Sequence, residues 1–204
     1  MDIQLNLINN SQDVNNSQYV IFQKNVAENF GEIAIAWIVV SNLGITDNHP
    51  FTYPMQFQVS GGDAWGNFTP KYNATNGEVY EMVRAQSGDE LQKSSKSASS
   101  PTEVEVLNSL ETGGISANIF RNGLLLAAKT NISPSQKAVF EFKPRIFIGA
   151  VSQVEQGQVM NSAILQNINT EIDLLGITGA DIVITGGGGD EAATKFVFSL
   201  TNVI

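Results

Sequence analysis

The feature that most constrains this chain is an alternation of apolar and polar residues that returns along most of its length. Ile3, Leu5 and Leu7 alternate with polar neighbours, as do Met55, Phe57 and Val59, which Gln56 and Gln58 separate. The pattern recurs at Val104 and Val106, at Ile115, Ala117 and Ile119, at Phe140 and Phe142, and at Phe196, Phe198 and Leu200. A period of two sends successive side chains to opposite sides of an extended backbone, so each stretch makes a strand with one buried face. About a dozen strands can be marked on these criteria. Two stretches are apolar on both faces, Ile33–Val40 and the shorter Ile182–Ile184, and read as central strands covered on both sides.

Turn chemistry divides the runs. Asn122-Gly123 lies between two apolar stretches, where both residues tolerate the positive φ of a tight hairpin. Asn76-Gly77, Ser87-Gly88-Asp89 and Ser133-Pro134-Ser135 flank other runs, and Pro144 breaks a strand that could not carry it in a central ladder. Helix enters at two places only. In Ser162–Gly176, Ile164, Ile168, Ile172 and Leu175 have helical spacing with Ser162 as cap and Gly176 as stop, yet Ile168, Thr170, Ile172 and Leu174 also alternate. This segment reads as a short helix running into a strand. A second short helix is expected over Val26–Phe30. The serine-rich stretch 93–101 has no apolar residue larger than alanine and reads as a mobile loop. The expected architecture is therefore all-β: one domain over residues 1–204, a two-sheet β-sandwich with Greek-key or jelly-roll-like connections and at most one or two short helices.

Composition removes several functions. The formal charge is −9, from 11 Lys and Arg against 20 Asp and Glu. Nucleic-acid backbones are bound by clustered cations, and the pair Lys93 and Lys96 is the nearest approach to a cluster, so no nucleic-acid partner is expected. Attraction to anionic lipid is disfavoured on the same ground. There is no cysteine, which excludes disulfides, thiolate metal sites and cysteine nucleophiles. The start, Met1-Asp2-Ile3-Gln4-Leu5-Asn6, has neither a basic nor an apolar leader region, and no run is long enough to span a membrane as a helix. The default expectation is a cytoplasmic protein, with export by a non-classical route as the alternative. Asn-x-Ser/Thr triplets at Asn9, Asn15, Asn67, Asn73 and Asn131 are what an asparagine-rich chain produces by chance. Charged residues are only 15% of the chain, and amides and hydroxyls take their place. Such a surface suits self-packing or contact with polar partners such as carbohydrate.

Candidate chemistry is thin. His49 is the single histidine, set in the turn-rich Thr46-Asp47-Asn48-His49-Pro50 with no nucleophile elbow elsewhere, and reads as a loop residue near Phe51 and Tyr53. Gly186–Gly189 follows a strand, but Asp190 and Glu191 would repel phosphate, so a flexible hairpin loop is expected. Asp47, Asp63, Asp181, Asp190 and Glu191 are acidic loop residues without the local spacing of a calcium site. Glu81, Arg84, Asp89 and Glu90 resemble hydrolytic carboxylate pairs, a common occurrence in an acidic chain. No catalytic residue, metal or cofactor is expected. The aromatic stretches Phe51-Thr52-Tyr53-Pro54 and Asp63-Ala64-Trp65-Gly66-Asn67-Phe68 stand apart, and Tyr53, Trp65 and Phe68 are the candidate ligand-binding residues. Against that, burial of Trp65 and Phe68 as a cap on the core is the favoured reading, because aromatics in sheet proteins are mostly buried.

The leading expectation is a non-enzymatic binding or self-assembling protein. Self-association as a homo-oligomer is preferred because the last strand, Lys195–Ile204, runs apolar to Val203-Ile204. A membrane-active sandwich toxin and a carbohydrate-binding or glycan-active jelly roll are the alternatives.

Overall fold

In the computed structural model, residues 2–27, 34–168, 170–189 and 194–204 are described. In chain order the strands are β1 (Ile3–Asn9), β2 (Gln18–Phe22), β3 (Ile38–Val40), β4 (Asn48–Tyr53), β5 (Phe57–Gly62), β6 (Tyr72–Ala74), β7 (Glu78–Ala85) and β8 (Gly88–Ser97). They continue with β9 (Val104–Asn108), β10 (Ile115–Arg121), β11 (Leu124–Ile132), β12 (Lys137–Phe140) and β13 (Arg145–Val151). The helix α1 (Ser162–Asn167) precedes β14 (Thr170–Asp173), β15 (Gly179–Gly187) and β16 (Thr194–Thr201). The chain is all-β, as its alternation requires. The described residues form four sheets of four strands, where two sheets were expected. The strands fall into two compact units, one of Met1–Gln23, Ile33–Met55 and Pro144–Ile204, the other of Lys24–Glu32 and Gln56–Lys143. One passage between units falls at Pro144, the residue expected to break a strand.

The first unit holds the sheets β16-β15-β1-β4 and β14-β13-β2-β3. In β1 the alternation is realised literally, with Ile3, Leu5 and Leu7 buried. This strand runs parallel to β15 and antiparallel to β4, and Pro50 is tolerated because β4 is an edge. In β2, Tyr19, Val20, Ile21 and Phe22 are all buried, so its sheet is covered on both faces. On one side Tyr19 meets the rings of Phe196 and Phe198 edge-on, at centroid distances of 5.9 and 6.2 Å. On the other, Val20, Phe22 and Phe147 cluster with Ala34, Ala36, Val154, Met160 and Ile168, and Ile164 and Leu165 of α1 pack against the cluster.

The run Ile33–Val40 is corrected in one respect. Ala34 to Ile38 are buried as expected, but only Ile38–Val40 is a strand, and it is an edge rather than a centre. Before it, Ala34 and Ala36 exchange backbone bonds with Gly157, Gln158 and Met160 around an isolated antiparallel bridge between Ile35 and Val159, and Val154 and Met160 of that segment join the two alanines in the core. Ile33 lies outside the described residues, as do Glu28 to Phe30 of the expected second helix, while Val26 and Ala27 form a turn. The ambiguous segment is a helix followed by a strand, α1 then β14. Its cap sits one residue earlier than expected: the Asn161 side chain accepts from the Ile164 N–H at 2.9 Å. At the C-terminus, Ile204 donates to the Gly179 carbonyl at 2.9 Å and accepts from the Thr178 N–H at 2.6 Å, so the apolar ending is tied to its own sheet. The Gly186–Gly188 backbone is in the left-handed region, and a Cβ on Gly186 would sit 2.1 Å from the Lys195 carbonyl oxygen. Asp190 and Glu191 lie outside the described residues.

The second unit holds the sheets β11-β10-β5-β6 and β12-β9-β7-β8. Asn122-Gly123 makes the expected hairpin between β10 and β11, with φ of 53° and 75°. The serine stretch is corrected in its first part only, since residues 98–101 lie outside any strand, as expected of a loop. Lys93 to Ser97 complete the edge strand β8. A strand with one face in water needs no large apolar residues there, and its polar side chains bond across to β7 instead. The Ser94 hydroxyl donates to Glu81 at 2.6 Å, and the Lys93 ammonium to Glu78 at 2.5 Å.

That last pair makes an acid-sensitive lock. Burial pushes the Glu78 carboxyl up, but bonds from Lys93 and the Thr75 N–H outweigh it and hold the pKa down, from 4.5 to about 2. The unfolded chain therefore takes up the proton first as pH falls. The stabilisation is complete above the ordinary carboxylate pKa and is lost as pH falls towards the folded value. Between about pH 5 and pH 2 the wild type is expected to lose on the order of 2 kcal/mol more stability than Glu78→Gln, after discounting for solvent around Lys93. Urea unfolding of both proteins across that range measures it, and parallel curves would show that Glu78 carries no such linkage.

Candidate functional site

The candidate site is built on a tight hairpin that follows β5. Asp63 donates from its N–H to the Asn67 carbonyl at 2.9 Å, and Gly66 turns the chain with φ of 88°. This is a three-residue loop closed by a glycine in the left-handed region, a geometry glycine alone adopts cheaply. The Asp63 carboxylate fills its interior. One oxygen accepts from the N–H groups of Trp65 and Asn67 at 2.8 and 2.9 Å, and the other from the Asn67 side-chain amide at 2.8 Å. Those bonds, the Asn67 amide first among them, hold the carboxyl below its usual range. Below the loop, Gly61 and Thr69 bond twice, the Thr69 N–H to the Gly61 carbonyl at 2.9 Å and the Gly61 N–H to the Thr69 hydroxyl at 3.0 Å.

The backbone is thus hydrogen-bonded within its own turn while its aromatic side chains stand in water. Trp65 is 89% exposed and Phe68 66%. The expectation that they cap the core is corrected. In a hairpin this short the second central residue points away from both strands, so no sheet face is available to cover Trp65. Phe68 is placed by Gly62. A Cβ there would lie 2.8 Å from its ring, so the absence of a side chain lets the ring rest on the strand.

Beside Phe68 lies a cleft of about 170 Å³. Phe68 and Tyr72 supply aromatic surface, Met82 and Leu91 apolar surface, and Asp63, Asp89 and Glu90 carboxylates. The carboxylates are already braced from within the unit. Arg84 Nε lies 3.0 Å from Asp89, its cross-strand partner in register, and the Ser87 hydroxyl donates to Glu90 at 2.6 Å. Asp89 and Glu90 were legible in the sequence as part of a carboxylate grouping with Glu81 and Arg84, but not as neighbours of Asp63 and Phe68, and Tyr72, on the three-residue edge strand β6, carried no signal.

Other candidates are placed elsewhere. Tyr53 is 1% exposed in the first unit, its hydroxyl accepting from Gln23 at 2.8 Å, so this ring is core and not a contact surface. His49 is exposed on β4, opposite Leu7 in the register, rather than in a loop. Asp47 caps a turn by accepting from the Gly44 N–H at 3.2 Å, and Asp181 accepts from Asn6 and Asn202. Glu81 bridges strands, its carboxyl lowered by the Ser94 bond above all. Among the described residues, no three His, Asp or Glu side chains gather as metal ligands, and no helix is long and apolar enough to cross a membrane. Comparison with family models, curated proteins and solved structures finds no match to this chain.

Proposed function

We propose that this chain is a non-enzymatic binding protein, with small two-layer β-sandwiches as its framework and the Asp63–Pro70 hairpin as its contact surface. The observation that carries this reading is Trp65, 89% exposed on a backbone that the Asp63 carboxylate holds in one conformation. An indole left in water forgoes the roughly 1.5–3 kcal/mol that burial of a large apolar side chain supplies, and a partner that covers it recovers that term. A rigid backbone reduces the entropy lost when the partner docks. The braced carboxylates are arranged as acceptors, and among the described residues that line the cleft there is no histidine to serve as a base beside them.

Tryptophan emission tests this directly, because Trp37 is fully buried and Trp65 is not. Acrylamide should quench mainly Trp65. Titration with soluble polysaccharides, lipid vesicles or the protein itself at high concentration is expected to shield Trp65 in at least one case. Trp65→Ala should abolish that response while changing unfolding stability by less than about 0.5 kcal/mol. If nothing in the panel shields Trp65, the hairpin is not a contact surface.

A further inference from the structure

We propose that the cleft beside Phe68 is a subsite for one residue of a neutral carbohydrate chain, a proposal that rests on the binding reading above and names its ligand class. Three properties of the site lead there. The first is the pairing of surfaces. Phe68 and Tyr72 offer aromatic faces that are 66% and 40% exposed, while Asp63, Asp89 and Glu90 offer oxygen acceptors in the same cleft. A sugar ring presents the matching pair, an apolar C–H face and a rim of O–H donors, and few other ligands present both at once.

The second is the state of the carboxylates. Asp63 accepts three bonds from its own loop, Glu90 accepts from Ser87, and Asp89 lies against Arg84. Among the described residues, these carboxylates do not gather as a set of three or more metal ligands. Each carboxylate has room for about four donors, so lone pairs remain for hydroxyls, and the buried Asp89 oxygen that faces Arg84 accepts no hydrogen bond within the protein. An anionic ligand is opposed by the same groups. A lipid surface is disfavoured as well, since seating Trp65 in a bilayer would carry Asp63 towards the headgroups at a desolvation cost.

The third is size. At about 170 Å³ the cleft is smaller than the roughly 300–1,000 Å³ that encloses a drug-sized ligand, so it receives one ring and leaves the rest of a chain outside. Trp65, at the tip of the same hairpin, is a second platform for a neighbouring residue.

The test is calorimetric titration of the full chain with neutral hexaoses (cello-, laminari-, manno- and malto-hexaose). Comparison arms are polygalacturonate, chitosan oligosaccharide, and vesicles of phosphatidylcholine with and without phosphatidylserine. Binding by at least one neutral hexaose is expected, nearly unchanged between low and high salt. Phe68→Ala and Trp65→Ala should each weaken it about tenfold or more, and Glu90→Gln, which keeps one oxygen acceptor, only severalfold. Because Phe68 is exposed, Phe68→Ala should keep the wild-type melting temperature; if it does not, Tyr72→Ala takes its place. Failure of all four neutral hexaoses overturns the proposal, as does binding that high salt abolishes. Binding of polygalacturonate or chitosan alone overturns the neutral character of the ligand, and binding of vesicles alone overturns the carbohydrate assignment; each leaves the hairpin as a contact surface. Silence in every arm removes both.

Discussion

Trp37→Ala is expected to cost about 3–5 kcal/mol of unfolding free energy, the range for truncating a buried large aromatic to alanine. Trp37 is 0% exposed. Its ring meets those of Tyr53 and Phe51 edge-on, at centroid distances of 6.0 and 6.4 Å and interplanar angles of 90° and 79°. Removing the indole leaves a cavity whose walls are fixed from other directions. Phe51 and Tyr53 are held in the β1–β4 ladder, and the Tyr53 hydroxyl is bonded to Gln23. Collapse into the gap is therefore restricted, and the lost transfer energy and the cavity both count. Urea unfolding followed by far-ultraviolet dichroism measures the change. Trp65→Ala is the internal contrast, the same chemical deletion at 89% exposure. Similar losses for the two variants would contradict the packing described for both.

Asn108→Ala is expected to cost about 2–3 kcal/mol, because it strands two buried backbone groups of the second unit, the Ile132 carbonyl and the Leu110 N–H. Asn108 is 0% exposed. Its amide donates to the carbonyls of Gly113 and Ile132 at 2.9 and 2.8 Å, and its side-chain oxygen accepts from the Leu110 N–H at 3.0 Å. The side chain thus serves two groups of the loop between β9 and β10 and the last carbonyl of β11. Alanine would leave the Ile132 carbonyl and the Leu110 N–H buried without a partner, while the exposed Gly113 can turn its carbonyl to water. Asn108→Asp should be at least as damaging at neutral pH, since a carboxylate oxygen would then face carbonyl oxygens. Chemical denaturation of both variants decides this, and losses under about 1 kcal/mol would show that water or a shifted loop replaces the amide.

What the sequence made legible and what it did not differ in kind. The strands around Leu5, Val106 and Ile119 follow from alternation alone, and the β10–β11 hairpin follows from Asn122-Gly123. In the run Ile33–Val40 the burial was readable but the structure was not. An apolar segment states that it must be covered and does not say by what, and here the cover includes the Gly157–Met160 loop. The first part of the serine stretch, Lys93 to Ser97, failed in the opposite sense. Polar residues were read as mobile, though a strand needs apolar residues only on a covered face, and β8 takes its order from bonds to β7.

The aromatic residues show where the boundary lies. Tyr53 and Trp65 both stand in aromatic stretches bounded by proline or glycine, yet one is 1% exposed and the other 89%. By itself the sequence determined the all-β class, the positions of its main turns, the lack of cysteine and the excess of acidic over basic residues, because these depend on neighbouring residues or on composition. Tertiary structure alone decided that there are four sheets, which aromatic rings stay wet, and that Asp63 shares a cleft with Asp89 and Glu90. The reason is that local pattern sets which way a side chain leaves the backbone, whereas its cover or its neighbour across a cleft comes from strands far away in the chain.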